Sequence, residues 1–561
     1  MDPNKMTLPA RFFGQTERYA TRPFLAFVGE KPLTYGEAGR QVRALMAFLL
    51  RNGISSGDRV ALLGSNSPRW VLAYFAITGM GAVAVPLLPD FHAGEIARFV
   101  RHAGARMIFV DRAHLGKVQA PAGSGLLTVL LDDLSLQGEG VPYDAQLTDT
   151  APAKVEEDDL AVIIYTSGTT GRSKGVMLTH RNLVFDALMS KKIHPIGEED
   201  VFLSILPLSH TYENTIGMLI PMLSGSEIRY LRRPPTPAVL LPALREVRPT
   251  VMLTVPLIIE KIHKKQVMPV FTRNALIRGV YRFPPVRRLL HRMAGRRLMA
   301  TFGGRLHFFG IGGAKLNETV ERFLLEARFP YAVGYGLTET SPLVAGFGPD
   351  AQRLQSTGRP IEGIEVKIHN PDPENGEGEI WVRGPNVMKG YYKEPEMTRE
   401  VLTADGWFRT GDLGTFDDDG YLYIKGRLKN VIIGPGGENI YPEDIESVIN
   451  TLWYVDESLV VEEEGRLVAL VRLNLEEIEK KFHSFKENAT AFYEENVETF
   501  LKEVKEHVNR QVNRFSRIQE VKIQVEPFVK TATNKIKRFL YGEQGSKGKD
   551  PGQEGLKEQK V

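Results

Sequence analysis

The sequence predicts an α/β protein: a large N-terminal domain of parallel-sheet βα subdomains plus a small β-barrel, followed by a small α+β C-terminal domain. Three observations predict it. Between residues 23 and 256, short apolar runs (RVALLGS, AVAVPLL, RMIFVD, LAVIIYTS, VFLSILPL, TVMLTVP) alternate with amphipathic stretches, the pattern of βα units around a largely parallel sheet. From 356 to 423 the texture changes to short strands and turns (GIEVKIHN, GEGEIWVRG, DDDGYLYIKG), which fits a small antiparallel sheet or barrel. With 561 residues, 42% of them apolar and 25% charged, the chain exceeds one unit at about 100–200 residues per domain.

Taken in order, the N-terminus lacks the basic start and apolar core of a secretory signal, so a cytoplasmic protein is expected. The longest uncharged apolar run, 70–88, is roughly a membrane span in length. Gly79, Gly81 and Pro86 interrupt it, and it reads as a buried helix (PRWVLAYFAIT), a glycine C-terminus and a short strand (AVAVPL). The βα subdomains extend to about residue 330 and the small β subdomain over about 340–428. After Gly426 and Arg427 come NVIIGPGGENIYPEDIESVIN, the strand-like RLVALVRLN, a charged helical stretch over 475–517, and EVKIQVEP. The C-terminal domain is therefore placed at 429–542. The tail 543–561, polar and glycine-rich, is expected to be disordered.

Cysteine is absent, which excludes disulfides, thiolate-bound metals and an acyl-cysteine intermediate. The formal net charge of +3 conceals an asymmetry: residues 261–317 contain thirteen Lys and Arg and no Asp or Glu. Within them, VRRLLHRMAGRRLMA repeats Val286, Leu289, Leu290, Met293 and Ala294 at helical spacing, with Arg287, Arg288, Arg292 and Arg296 mostly off that stripe. Such a basic amphipathic helix suits either a solvated surface or an anionic membrane, peripheral on its inner face. Nucleic acid is disfavoured, because no aromatic-interleaved groove accompanies the charge.

The chemistry starts at LAVIIYTSGTTGRSKGVMLTH, an apolar strand running into a loop at 165–176. Gly168, Gly171 and Gly175 let backbone N–H groups approach a polyanion; Thr166, Ser167, Thr169, Thr170 and Ser173 donate to its oxygens; Lys174 offsets its charge. The spacing does not give the Gly-Lys-Ser/Thr of a Walker A loop. A phosphate cradle of another kind is expected.

YTSGTTGRSKGV closely resembles the signature loop of the adenylate-forming superfamily, which includes acyl-CoA synthetases, nonribosomal adenylation domains and luciferases. The resemblance covers nearly the whole chain: GYGLTET (334–340), GWFRTGDLG (406–414), KGRLKNVI (425–432) and GGENIYPEDIE (436–446) look like later motifs in the same order. It implies that Tyr335, between Gly334 and Gly336, stacks on adenine, that Thr338 contacts the α-phosphate and that Glu339 helps hold Mg2+. It also implies that Asp412 takes the ribose hydroxyls, with Arg427 a second donor, and that Lys429 is the hinge between large and small domains. KTATNKIKR resembles the terminal motif, whose lysine stabilises the adenylation transition state. The usual Ser-Gly-Lys is Thr-Asn-Lys here, so Lys535 aligns with that lysine, with Lys537 and Lys530 as alternative registers.

LPLSHTYENT (206–215) and REVRPTVMLTVPLIIEKI (245–262) look most like long-chain fatty acyl-CoA synthetases. The resemblance places His210 and Glu213 near the acyl carboxylate, and Gly312, Gly313 and Ala314 of GIGGAKL along the acyl and adenine pockets; Lys315 stands where proline is common. The implied reaction joins a medium- to long-chain acid to CoA through acyl-AMP, with ATP and CoA as co-substrates, and puts Gly436 and Gly437 on the CoA face. A carrier-protein acceptor, or release of acyl-AMP, is the alternative, as is a non-catalytic acyl- or nucleotide-binding protein on a membrane.

Overall fold

The computed structural model describes residues 5–541 apart from 120–124, 139, 148–149, 167–172, 273–278, 280, 435–437, 476–477, 479–488 and 533–534. The chain divides into two compact units. One holds the chain up to Thr166 with Ser173–Thr410 and Gly414–Ile424; the other holds Gly411–Leu413 and the chain from Lys425 on. The tail expected to be disordered lies outside the described residues.

The first unit is built on two large mixed sheets. One has eight strands, in the order Gly390–Tyr391, Lys174–Thr179, Leu160–Thr166, Val83–Leu87, Arg59–Leu63, Ala105–Val110, Leu127–Leu130 and Leu136–Gln137. Its middle five strands are parallel, and antiparallel strands close both sides. The apolar run read as helix then strand folds so: Pro68–Gly79 is a helix buried from Trp70 onward, with Ser67 Oγ capping the Trp70 N–H at 3.1 Å, and Val83–Leu87 is a fully buried strand. No helix among the described residues is long and apolar enough to cross a membrane.

The second sheet has nine strands: Arg359–Pro360, Leu343–Gly346, Tyr331–Gly336, Phe308–Ile311, Val251–Thr254, Val201–Ser204, Glu227–Tyr230, Pro23–Phe27 and Leu33–Thr34. The six from Tyr331–Gly336 to Pro23–Phe27 are parallel. A long-range return is needed to complete it, since Pro23–Phe27 pairs with Glu227–Tyr230.

The small β region is an open four-stranded sheet, Glu365–His369, Gly378–Arg383, Phe408–Phe416 and Leu422–Arg427. The expected barrel is not formed among the described residues. Closure takes about five or more strands around a filled interior. Here the apolar face, Ile380, Val382 and Leu422, is instead covered by Val344 and Ala345 of the nine-stranded sheet.

The basic helix also differs from its sequence reading. Pro284–Thr301 buries His291, Gly295 and Leu298, while Leu289 and Met293 of the expected apolar stripe face outward with the arginines. The reason is steric: a Cβ on Gly295 would stand 2.7 Å from the Ala327 Cβ, so the helix approaches its neighbour along its small-residue side.

In the second unit, Val455–Glu463 and Arg466–Leu473 pair antiparallel and Glu520–Ile523 adds in parallel. Helices Pro442–Ile449 and Ala489–Asn509 contribute Ile445, Ile449, Val504 and Val508 to its core.

Candidate active site

The sequence-predicted residues of the first unit converge because of strand direction. In the nine-stranded sheet, Val201–Ser204, Phe308–Ile311 and Tyr331–Gly336 run parallel. His210, Gly312–Ala314 and Thr338–Glu339 each follow the carboxyl end of one of these strands. Ligands of open α/β sheets bind at that edge.

In the eight-stranded sheet, Leu160–Thr166 and Lys174–Thr179 form a hairpin whose register brings Thr166 opposite Lys174 and Tyr165 opposite Gly175. Ser167, Gly168, Thr169, Thr170 and Gly171, between these strands in sequence, are outside the described residues. The stem is firmly held: Tyr165 stacks on Phe99 with centroids 4.3 Å apart, and its hydroxyl is 2.7 Å from His102 Nδ1. Burial pushes the Tyr165 phenol up and the His102 imidazole down, so both are neutral at neutral pH.

The hairpin's outer edge pairs with Gly390–Tyr391, and this brings in a residue that the sequence reading missed. Lys174 Nζ lies 4.4 Å from the Tyr391 ring centroid, and the Tyr391 hydroxyl donates to Glu339 Oε1 at 2.9 Å. The backbone follows, with Met388 N–H donating to the Glu339 carbonyl at 2.9 Å. The phosphate-loop lysine and the acidic residue of GYGLTET, 165 positions apart by number, are thus joined through one tyrosine. A signal exists in GYYKEPEM: adjacent residues of an extended strand point to opposite faces. Tyr392, on the other face, sits edge-on to His102 at 5.7 Å.

GYGLTET ends Tyr331–Gly336 and turns through Thr338–Thr340. Gly336 is dictated by close approach, because a Cβ there would stand 1.8 Å from the Pro342 carbonyl oxygen. Thr340 Oγ1 accepts from the Leu337 N–H at 3.0 Å and donates to the Pro342 carbonyl at 2.6 Å, which fixes the turn presenting Thr338 and Glu339. Tyr335 is half-buried beside Val344 and Ala345.

The LPLSHTYENT segment is tied to the same turn: Thr215 Oγ1 donates to the Ser341 carbonyl at 2.7 Å. His210 Nδ1 accepts from the Tyr212 N–H at 3.2 Å. Tyr212 lies against GIGGAKL, where a Cβ on Gly312 would meet its ring at 3.3 Å. Residues Glu213–Leu219 form a π-helical turn, a distortion common near functional sites. Within it Glu213 is buried, accepts from Ser204 Oγ at 2.6 Å, and is pushed by burial up to about 8. It is therefore a neutral acid at neutral pH.

In the second unit, Arg427 Nε donates to Asp412 Oδ1 at 2.8 Å, with the Asp412 side chain only 7% exposed. The two residues expected at one sugar are thus in contact. Lys429 sits in the turn Leu428–Asn430, directly after them. Gly436 and Gly437 lie outside the described residues. Lys535 is exposed beside a tight reversal in which Lys530 and Ile536 bridge and the Thr531 N–H donates to the Lys535 carbonyl at 2.8 Å. Of the alternative registers, Lys530 forms an ion pair with Glu457.

Residues 12–392 match the AMP-binding enzyme family. The chain belongs to that family. The coarse chemistry is therefore that of an ATP-dependent ligase that forms AMP. A long-chain-fatty-acid–CoA ligase of Mycobacterium bovis is 30% identical over 467 residues, 76% of this chain and 75% of its own. A feruloyl-CoA synthase of an Amycolatopsis species is 33% identical over 425 residues, 75% of this chain and 78% of its own. Among solved structures, the ligase is similar to ATP-bound MatB from Rhodopseudomonas palustris, with a TM-score of 0.75, 25% identity, and coverage of 96% of this chain and 98% of that one.

Proposed function

We propose that the ligase activates a medium- to long-chain fatty acid and transfers it to CoA. The carboxylate attacks the α-phosphorus of ATP, the bond to the β-phosphate breaks, and pyrophosphate leaves; the CoA thiol, losing its proton, then attacks the acyl carbonyl and expels AMP. The observation that carries the reading is the convergence of Lys174, Tyr391 and Glu339, a cation and a carboxylate held by one tyrosine, with the LPLSHTYENT segment tied to the same turn as Glu339 through Thr215 and Ser341. The chain length is supported by LPLSHTYENT and by the relative named for long-chain acids.

In this reading the loop 165–176 cradles the phosphates, Thr338 donates to the α-phosphate, and Tyr335 lies under adenine. Asp412 accepts the ribose hydroxyls, and Arg427, already bonded to Asp412, fixes its orientation. A single half-buried carboxylate suits Mg2+, which prefers one or two protein ligands together with phosphate and water, so Glu339 would hold it. Bound there, the ion neutralises phosphate charge. Lys535 stabilises charge on the α-phosphoryl oxygens, Lys429 is the hinge, and Gly436 and Gly437 admit the CoA arm.

The test is pyrophosphate release over short, medium, long and aromatic acids, with CoA present and with a holo-carrier protein in its place. Preference for long saturated acids with CoA supports the reading. Preference for hydroxycinnamic acids, or for the carrier, replaces it.

A further inference from the structure

The site leaves unused the most strongly charged surface of the chain, the run 261–317 with thirteen Lys and Arg and no acid. Its helix Pro284–Thr301 is fastened from one side. Arg287 makes a two-pronged pair with Glu326 at 3.0 and 2.6 Å, His291 Nδ1 reaches the same carboxylate at 2.8 Å, and Gly295 abuts Ala327. Arg288 and Arg292 lie on the flank of that attachment, and Leu289 and Met293 follow in the adjacent outward row beside Arg296, with Phe283 at the helix entrance. These three apolar side chains are 61% (Phe283), 58% (Leu289) and 51% (Met293) exposed.

Next to them, Arg322 and Arg328 join Arg288 and Arg292 around an open cleft of about 350 Å³. Glu326, the acid lining that cleft, is already held by Arg287 and His291. Arg322 pairs with Glu318 on its own helix. Four guanidinium groups therefore meet beside three exposed large apolar groups.

An ordinary solvated helix face mixes charges of both signs and rarely clusters large apolar side chains. A nucleic-acid face would use the arginines but gain nothing from Leu289 and Met293. Both halves of the pattern are used at an anionic bilayer, where arginines meet headgroup phosphates and apolar side chains enter the headgroup–acyl boundary. We infer that the face of Pro284–Thr301, with Arg322 and Arg328, docks on anionic lipid. The docking deepens the fatty-acid reading, on which its usefulness rests, since long-chain acids partition into bilayers; the test omits substrate so that either can fail alone.

The full chain is sedimented with phosphatidylcholine vesicles and with vesicles that also contain phosphatidylglycerol. Binding to the second kind only is expected, weakening at high salt. R288E/R292E should lower it by at least about twenty-fivefold, since one arginine near such a surface is worth about fivefold. L289S/M293S should lower it as well, at low and high salt alike, with an unchanged melting temperature because both side chains are exposed. Failure to bind anionic vesicles, or binding indifferent to both double variants, overturns the inference. So does concentration-dependent dimerisation abolished by the same substitutions, which would make the occupant a second copy.

Discussion

The Tyr391 hydroxyl donates to Glu339 Oε1 at 2.9 Å while its ring lies 4.4 Å from Lys174 Nζ. One side chain therefore positions both a cation and an anion. The hydroxyl removes one lone-pair direction from the carboxylate and so restricts which way the remaining ones point. The ring holds the ammonium near the hairpin stem without neutralising it.

Tyr391→Phe separates the two functions, because it keeps the ring and deletes the donor. A hydrogen bond to a charged acceptor is worth roughly 1.5–3 kcal/mol, so kcat/KM for ATP–pyrophosphate exchange is expected to fall about tenfold or more. The loss should depend on Mg2+ concentration if Glu339 is the ion's ligand. Unchanged exchange at every Mg2+ concentration would detach Tyr391 from adenylation.

How far the sequence carries can be judged from these residues. Strands such as Arg59–Leu63 and Val201–Ser204 are legible because parallel strands buried on both faces read as continuous apolar runs. Thr338, Glu339, Asp412 and Arg427 are candidates from sequence because each lies in a local motif. For Tyr391 the strand pattern of GYYKEPEM gives only the face it points to; its partners come from pairing with Lys174–Thr179, far away in sequence, which no local pattern encodes. The antiparallel sheet over 356–423 is legible but whether it closes is not, because closure depends on what covers the sheet, here Val344 and Ala345. The outward turn of Leu289 and Met293 depends on Gly295 meeting Ala327, again a tertiary fact.

Glu213 gives a pH prediction. Its folded carboxyl is raised to about 8 from the ordinary 4.5, so between those values the folded state keeps a proton that the unfolded chain releases. Stability should fall as pH rises across that window, by about 1.4 kcal/mol per pH unit from this group. Glu213→Gln keeps the shape and removes the titration. Chemical-unfolding midpoints of the variant should therefore show less pH dependence than those of the parent from about pH 6 to pH 8. Parallel profiles would mean that Glu213 does not hold its proton.

Arg538 fastens the terminal motif to its own unit through Glu446, whose other oxygen accepts from the Val460 N–H at 2.7 Å. Burial pushes the Glu446 carboxyl up, and Arg538 partly offsets that. Arg538→Ala leaves the acid without its charge partner, at a cost of about 3 kcal/mol. Hydrogen exchange should accelerate in Val455–Glu463 and Arg466–Leu473. Arg538→Met with Glu446→Leu should recover most of the protection, because the acid left without a partner is the source of the cost.

Lys535 and Lys530 belong to one motif but sit in different surroundings. Lys530 is half-buried and ion-paired with Glu457, so its charge is engaged in holding the unit together. Lys535 is exposed beside the reversal. If Lys535 stabilises only the first half-reaction, Lys535→Ala should lose about 10²–10³-fold in ATP–pyrophosphate exchange. It should still convert supplied acyl-AMP and CoA to acyl-CoA at near the parent rate. Lys530→Ala should instead lower the melting temperature and affect both halves together. Full exchange in Lys535→Ala, with the selective loss appearing in a variant of Lys537, would move the register by two residues and reassign the group.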